Sequence, residues 1–267
     1  MAKLEQKGWE MNEKLLEVKG VCKDFGGLRA IDNLEFHIRQ GEIFSIIGPN
    51  GSGKTTLFNV ITGFYPATGG KVIFKGEDIT NLKPFTIAQK GIARTFQLTT
   101  VFTRDTALDN LIIGHRLRIR AGLVGTILGS HSNQEEERRC REKAEEILEF
   151  IELTRQKNMI AGNLTQEAQK RLSIGMALAT DPQLLLLDEP TGGVNFKEIS
   201  SLVSLIEKIK EKKVTISLIE HKMKVAMDIP DRTMVLSYGR KITEGSPRQV
   251  SQDRRVIEAY LGKSYAA

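Results

Sequence analysis

Cysteine is nearly absent: Cys22 and Cys140 are the two that 267 residues contain. They stand far apart, with no His or Cys at metal-ligand spacing, which excludes a disulfide framework and a zinc site and leaves two ordinary thiols. Proline is scarce as well, 7 residues against 24 glycines. That ratio suits an α/β protein with many tight strand-to-helix turns and excludes collagen-like or disordered chains. Aromatic residues make up 6% of the chain and no dense basic cluster occurs, so the stacking platforms and basic stripes of a nucleic-acid binder are missing, and no nucleic-acid partner is expected. Long apolar runs are missing too. Leu111 to Gly129 is interrupted by His115, Arg116, Arg118 and Arg120, short of the roughly 18 apolar residues of a membrane span. Met1 to Asn12 carries Lys3, Glu5, Lys7 and Glu10 and lacks the apolar core of a secretion signal, which leads to an expectation of the cytosol.

What is present is a chain 40% apolar and 27% charged, long enough to bury one large core or two modest ones. Its net charge of +6 favours phosphates, other acidic ligands or an anionic membrane surface, without singling one out. No internal repeat is visible. Alternating apolar residues at Leu34, Phe36 and Ile38, and at Val72 and Phe74, predict half-buried antiparallel strands, whereas Ile43 to Ile47 reads as a strand buried on both faces. Ala144, Ile147, Leu148 and Ile151 recur at helical spacing, after a Gly/Ser-rich stretch, Gly122 to Asn133, that reads as a loop. Further on, Leu184 to Leu187 and Val214 to Ile219 predict buried strands. Ile199, Leu202, Val203, Ile206 and Ile209 between them mark one helix face, which implies a parallel crossover.

Gly48-Pro49-Asn50-Gly51-Ser52-Gly53-Lys54-Thr55 fits the G-x-x-x-x-G-K-[ST] pattern, and it follows a buried strand and precedes a helical run, Thr56 to Thr62. Gly51 and Gly53 leave room for backbone N–H groups to wrap phosphates, and the helix N-terminus adds partial positive charge. Lys54 is expected to reach the β- and γ-phosphates, Thr55 to ligate Mg²⁺ and Thr56 to donate to the α-phosphate. The site requires an acid at the end of a neighbouring buried strand, and Asp188-Glu189 supplies two. Asp188 would hold Mg²⁺ through water, and Glu189 would act as base or orienter of the attacking water. His221, ending the next strand, would contact the γ-phosphate.

With these residues in place the sequence resembles the nucleotide-binding subunits of ABC transporters along nearly its whole length. The resemblance implies an ATPase with ATP and Mg²⁺ as cofactors. It implies a P-loop NTPase (RecA-like) α/β fold: a parallel sheet core, an antiparallel β subdomain and an inserted α-helical subdomain. Residues 1–267 would form a single nucleotide-binding domain, with the first half of the core over 14–100, the helical subdomain over 101–180 and the second half with a C-terminal helix over 181–267. Phe25 stands where the family stacks an aromatic on adenine. Gln97 matches the glutamine that senses Mg²⁺ and contacts the membrane subunits, Thr191 to Asn195 the loop across the dimer interface, and His221 the switch histidine. Arg94, Gln97, Val101 and Phe102 lie where the family docks the permease. Ile61-Thr62-Gly63-Phe64 and the ending Val256 to Gly262 are similar to the branched-chain amino-acid group, whose subunits work in pairs under permease subunits served by an external solute-binding protein. Uptake of hydrophobic amino acids or small amides such as urea is what that implies, from the cytoplasmic face of the membrane.

One segment departs from the pattern. The family signature L-S-G-G-Q aligns with Leu164-Thr165-Gln166-Glu167-Ala168, which keeps a hydroxyl at Thr165 and loses both glycines that let backbone approach a phosphate. A Glu167 carboxylate about 4 Å from that phosphate would be repelled by roughly 4 kcal/mol at an effective dielectric of about 20, unless it turns away or is neutralised. A weak signature is expected. Paired with a related subunit whose signature is intact, which is the favoured arrangement, the chain would hydrolyse quickly at its own loop and slowly at its partner's. A homodimer would be slow at both sites. The alternative in another class is an ATP-driven clamp or switch without a transport role.

Overall fold

The computed structural model describes residues 13–95, 101–116 and 131–261. In chain order the strands and helices are β1 (Lys14–Phe25), β2 (Leu28–Arg39), β3 (Ile43–Ile47), α1 (Lys54–Ile61), β4 (Gly69–Phe74), β5 (Glu77–Asp78), α2 (Pro84–Gln89), β6 (Ile92–Arg94), α3 (Ala107–Arg116) and α4 (His131–Phe150). They continue with α5 (Gln166–Leu178), β7 (Leu184–Asp188), α6 (Phe196–Glu211), β8 (Thr215–Ile219), α7 (Met223–Asp228), β9 (Arg232–Ser237), β10 (Arg240–Gly245), α8 (Pro247–Ser251) and α9 (Arg254–Leu261). The strands predicted from alternation and from apolar runs are all present. The stretch read as a loop is not one throughout, because His131 to Asn133 open α4; its remainder, 122–130, lies outside the described residues.

Among the described residues the strands form two sheets, an antiparallel one ordered β2-β1-β4-β5 and a six-stranded one ordered β10-β9-β3-β8-β7-β6. Only the edge pair β10 and β9 is antiparallel in the larger sheet; β9, β3, β8, β7 and β6 run parallel. The order corrects one expectation. The strand of the acidic pair does not neighbour the strand of the phosphate loop, because β8 lies between them. Parallel pairing sets Ile46 opposite Ile219 and Ile219 opposite Asp188. The loops leaving β3, β8 and β7 therefore emerge along one edge, with His221 between phosphate loop and carboxylates.

Period-two alternation divides the apolar runs between two cores. Leu185 and Leu187, with Ile216 and Leu218, pack among residues of α3, α4, α5 and α6. Leu184 and Leu186 face the other way, into a core with Phe44, Leu57 and Phe58 and the inner face of the antiparallel sheet. All five positions of β3, β7 and β8 are buried, as parallel strands covered on both faces require. Near the far end of the sheet the Arg232 guanidinium ties β9 to its surroundings through Glu42 (2.8 Å) and Glu244 (3.0 Å), with its face over the Phe44 ring. Burial pushes the Glu42 carboxyl upward, and the arginine opposes that push.

Leu186 is fully buried and its carbonyl receives the Thr95 N–H at 2.9 Å. Truncating it to alanine removes packing under the acidic strand end, and Leu186→Ala is expected to lower unfolding free energy by about 2–5 kcal/mol in denaturant titrations. A change below about 0.5 kcal/mol, the range of ordinary surface substitutions, would show that this core does not support the sheet edge.

Candidate nucleotide site

The phosphate loop is built on backbone that side chains cannot follow. At Gly48 an added Cβ would lie 2.0 Å from the Leu236 carbonyl oxygen, and Gly53, at φ +105°, would meet the Ala30 carbonyl at 2.7 Å. Both glycines let the loop press against neighbouring backbone. The turn after β9 secures it from the side, where the Gly239 N–H donates to the Ser52 carbonyl at 2.9 Å. Pro49, Asn50 and Gly51 form its outer rim, the last two exposed, and Ser52 is buried. The Lys54 ammonium points into the loop, donating to the carbonyls of Gly48 (2.8 Å) and Pro49 (2.9 Å). Burial pulls its pKa below the usual lysine value, with Glu189 and Asp188 pulling the other way. Helix α1 starts at Lys54, two residues before the predicted run, so Lys54, Thr55 and Thr56 occupy its first turn. Thr55 is exposed and Thr56 half-buried.

Asp188 ends β7 as a buried carboxylate. Its Oδ2 accepts from Arg94 at 2.8 Å, with side chains 5% and 0% exposed for Arg94 and Asp188, whereas Oδ1 is buried with no hydrogen-bond partner among the described residues. Desolvation raises its pKa and the arginine resists the rise. The Arg94 side chain, read in the sequence as lying where the family docks the permease, is turned inward and also donates to Asn59 Oδ1 at 2.6 Å. Its place opposite Leu186 in the parallel register of β6 and β7 is what brings it there, a long-range fact that no local pattern carries. A buried carboxylate oxygen with no partner among the described residues fits a hard divalent cation, which takes oxygen ligands and keeps waters.

Glu189 turns sharply at φ +51°, an αL conformation that costs a non-glycine residue about 1–3 kcal/mol. Its N–H donates to the Ile219 carbonyl at 2.9 Å, and its Oε1 lies 2.9 Å from His221 Nε2. Acid and imidazole thus form one pair at the sheet edge. Next to them, buried Glu220 accepts from the Thr191 N–H (2.9 Å) and hydroxyl (2.7 Å), and Lys222 donates to the carbonyls of Thr191 (2.9 Å) and Val194 (3.2 Å). Neither Glu220 nor Lys222 was singled out in the sequence. Both flank His221, and that adjacency was the available signal.

Phe25 is 41% exposed, an available ring rather than a core residue. It meets Tyr65 edge-on at 5.2 Å and 85°, with the Lys23 ammonium 4.7 Å from its centroid. Tyr65 escaped sequence reasoning because nothing in the chain links it to Phe25. Gln97 lies outside the described residues. Val101 is half-buried against the core, whereas Phe102 is 47% exposed.

In the signature segment Leu164 is buried and Thr165 caps α5, its hydroxyl accepting from the Ala168 N–H at 3.2 Å. Gln166 lies against Gly193 of the loop after the acidic pair. Glu167 is turned sideways: it accepts from the Arg171 guanidinium and, at 2.6 Å, from the Ser201 hydroxyl. Its charge is therefore neutralised, the condition that removes the expected repulsion.

The Asp188–Arg94 pair supports a double-mutant test. Arg94→Met leaves a buried charge unpaired and is expected to cost about 3–5 kcal/mol, whereas Arg94→Met combined with Asp188→Asn should cost less than the single change. Equal losses in equilibrium unfolding would contradict a desolvated ion pair.

Comparison with known proteins agrees with this geometry. A family model described as ABC transporter matches residues 31–192, and one described as branched-chain amino acid ATP-binding cassette transporter matches residues 240–266. The high-affinity branched-chain amino acid transport ATP-binding protein BraF of Pseudomonas aeruginosa is 39% identical over 255 residues, covering 95% of this chain and 100% of the relative. Among solved structures, the ADP conformation of an ATP-binding cassette of an ABC transporter is similar at a TM-score of 0.83 and 35% identity, covering 94% of this chain and 100% of that one. A dimeric cassette in a post-hydrolysis state bound to ADP and Pi is similar at 0.73 and 27% identity, covering 87% and 99%. The loop, the acidic strand end and these likenesses together make the chain a member of the ABC transporter family, an ATPase subunit of the branched-chain amino-acid group.

Proposed function

We propose that this subunit hydrolyses ATP to power uptake of branched-chain amino acids or related small amides, docked on permease subunits at the cytoplasmic face of the membrane. The observation that carries the reading is the meeting of Lys54, Asp188, Glu189 and His221 along one sheet edge, with Glu189 Oε1 2.9 Å from His221 Nε2. The name of the BraF relative supports the solute class. Among the described residues no helix is long and apolar enough to cross a membrane, so transport requires membrane-spanning partners. The exposed rings of Phe102, Phe85 and Phe64 offer apolar surface for docking a permease, and an external binding protein would deliver solute to that permease.

In the reaction, the N–H groups of the phosphate loop and the start of α1 hold the β- and γ-phosphates, and Lys54 leaves its two carbonyls for phosphate oxygens. The ring of Phe25, backed by Tyr65, carries the adenine, and Thr56 donates to the α-phosphate. Thr55, Asp188 and, by resemblance, Gln97 would hold Mg²⁺, which neutralises charge on the phosphate oxygens when bound. Glu189 orients water for in-line attack on the γ-phosphorus and draws off its proton, releasing ADP and phosphate. His221, fixed by Glu189, contacts the γ-phosphate.

The dimeric relative supports a working pair. Within it, the segment Leu164 to Ala168 caps the opposite nucleotide poorly, because side chains at Gln166 and Glu167 stand where glycine would admit backbone. A heterodimer with an intact signature on the second ATP-binding subunit gives this chain the faster site. Glu189→Gln in the assembled transporter is then expected to lower ATP turnover by about 10²–10⁴-fold, the usual contribution of a general base, with ATP binding retained. Undiminished turnover would place hydrolysis on the partner's site and overturn this arrangement.

A further inference from the structure

Helix α5 carries a buried cation that the reaction above does not use. Lys170 is 7% exposed, and its ammonium donates to the main-chain carbonyl of Glu189 at 3.3 Å. Burial lowers its pKa, against the opposing pull of Glu189, Glu220 and Asp188. A lysine enters a protein interior only against partners of opposite charge, and these are the acids of the sheet edge. The same carbonyl also accepts the Gly192 N–H at 3.0 Å. Signature helix, acidic strand end and the following loop therefore converge on one oxygen.

The helix is held on a second side. About 100° round from Lys170, Arg171 donates to Glu167, to the Ile151 carbonyl (3.0 Å) and to α6 through Ser201, and pairs with Glu152 at 3.2 Å. With that side fixed, the N-terminal turn of α5 cannot tilt or slide without drawing Lys170 against the Glu189 main chain. Glu189 is also where the chain bends through φ +51°, so a displacement of its carbonyl swings the carboxylate directly.

We propose that Lys170 is a positioning residue for hydrolysis, which links the signature helix to the catalytic carboxylate of its own subunit. When the start of α5 engages the opposite subunit's nucleotide, Lys170 carries that event to Glu189 and sets the direction of its carboxylate. This rests on Glu189 orienting the attacking water.

The test is steady-state ATPase of the affinity-purified transporter assembly with Lys170→Met, Lys170→Gln and Lys170→Arg, beside Glu189→Gln. The expected result is a loss of kcat of about tenfold for Met, with KM for ATP unchanged, and a rate near the parent's for Arg, which restores both charge and donor. Where Met prevents assembly, Gln is read in its place by the same criterion. Parent-like kcat in the Met or Gln variant overturns the proposal, as does a rise in KM at unchanged kcat. Should Glu189→Gln itself remain active, the reading of Glu189 fails; should it be inactive while Lys170→Met turns over normally, only the role of Lys170 fails.

Discussion

Burial of the central sheet on both faces is the constraint on which the rest depends. Strands β3, β7 and β8 have no exposed position, so polar chemistry is confined to their ends, where the backbone leaves the sheet. Parallel pairing puts the C-terminal ends of all three on the same side. A phosphate loop, a carboxylate pair and an imidazole that are remote in sequence thus become neighbours without any local sequence requirement. The order β3-β8-β7 sets the imidazole between the phosphate loop and the acidic pair.

Charge at this edge is balanced by internal partners. Asp188 loses water on burial and recovers one strong hydrogen bond from Arg94, while its other oxygen has none among the described residues. That asymmetry suits a carboxylate meant for a cation: one oxygen orients the group and the other is held desolvated for a ligand. Lys54 is similarly restrained by weak neutral partners, two carbonyls, which phosphate oxygens replace favourably because a charged acceptor makes the stronger bond. Glu189 at the same edge is one of several non-glycine residues in the left-handed region.

Much of this was legible in the sequence, for reasons that differ by residue. The phosphate loop could be read because close backbone approach demands glycine at Gly48 and Gly53 and a lysine at a set distance, so chemistry and local geometry coincide in eight consecutive residues. The apolar run before Asp188 betrayed a strand buried on both faces, and with it a strand-end acid. What escaped were facts of register and tertiary packing. The intrusion of β8 between β3 and β7, the pairing of Arg94 with Asp188 and the edge-on contact of Tyr65 with Phe25 each depend on segments tens of residues apart. Glu167 illustrates the same limit. Its departure from the glycine pattern was plain, and Arg171, which neutralises it, lies one turn on in the same helix, but the Ser201 hydroxyl that also holds it belongs to another helix.

The central claim is that the sheet edge is a site for ATP with a divalent cation ligated through Asp188. The most direct measurement is calorimetric titration of ATP into the subunit with and without Mg²⁺, on the parent and on Asp188→Asn. The account predicts that Mg²⁺ tightens ATP binding in the parent and that the variant loses this dependence while still binding ATP through the phosphate loop. A variant with the parent's full Mg²⁺ dependence would contradict it, because the buried, unpartnered oxygen of Asp188 would then have no part in holding the cation.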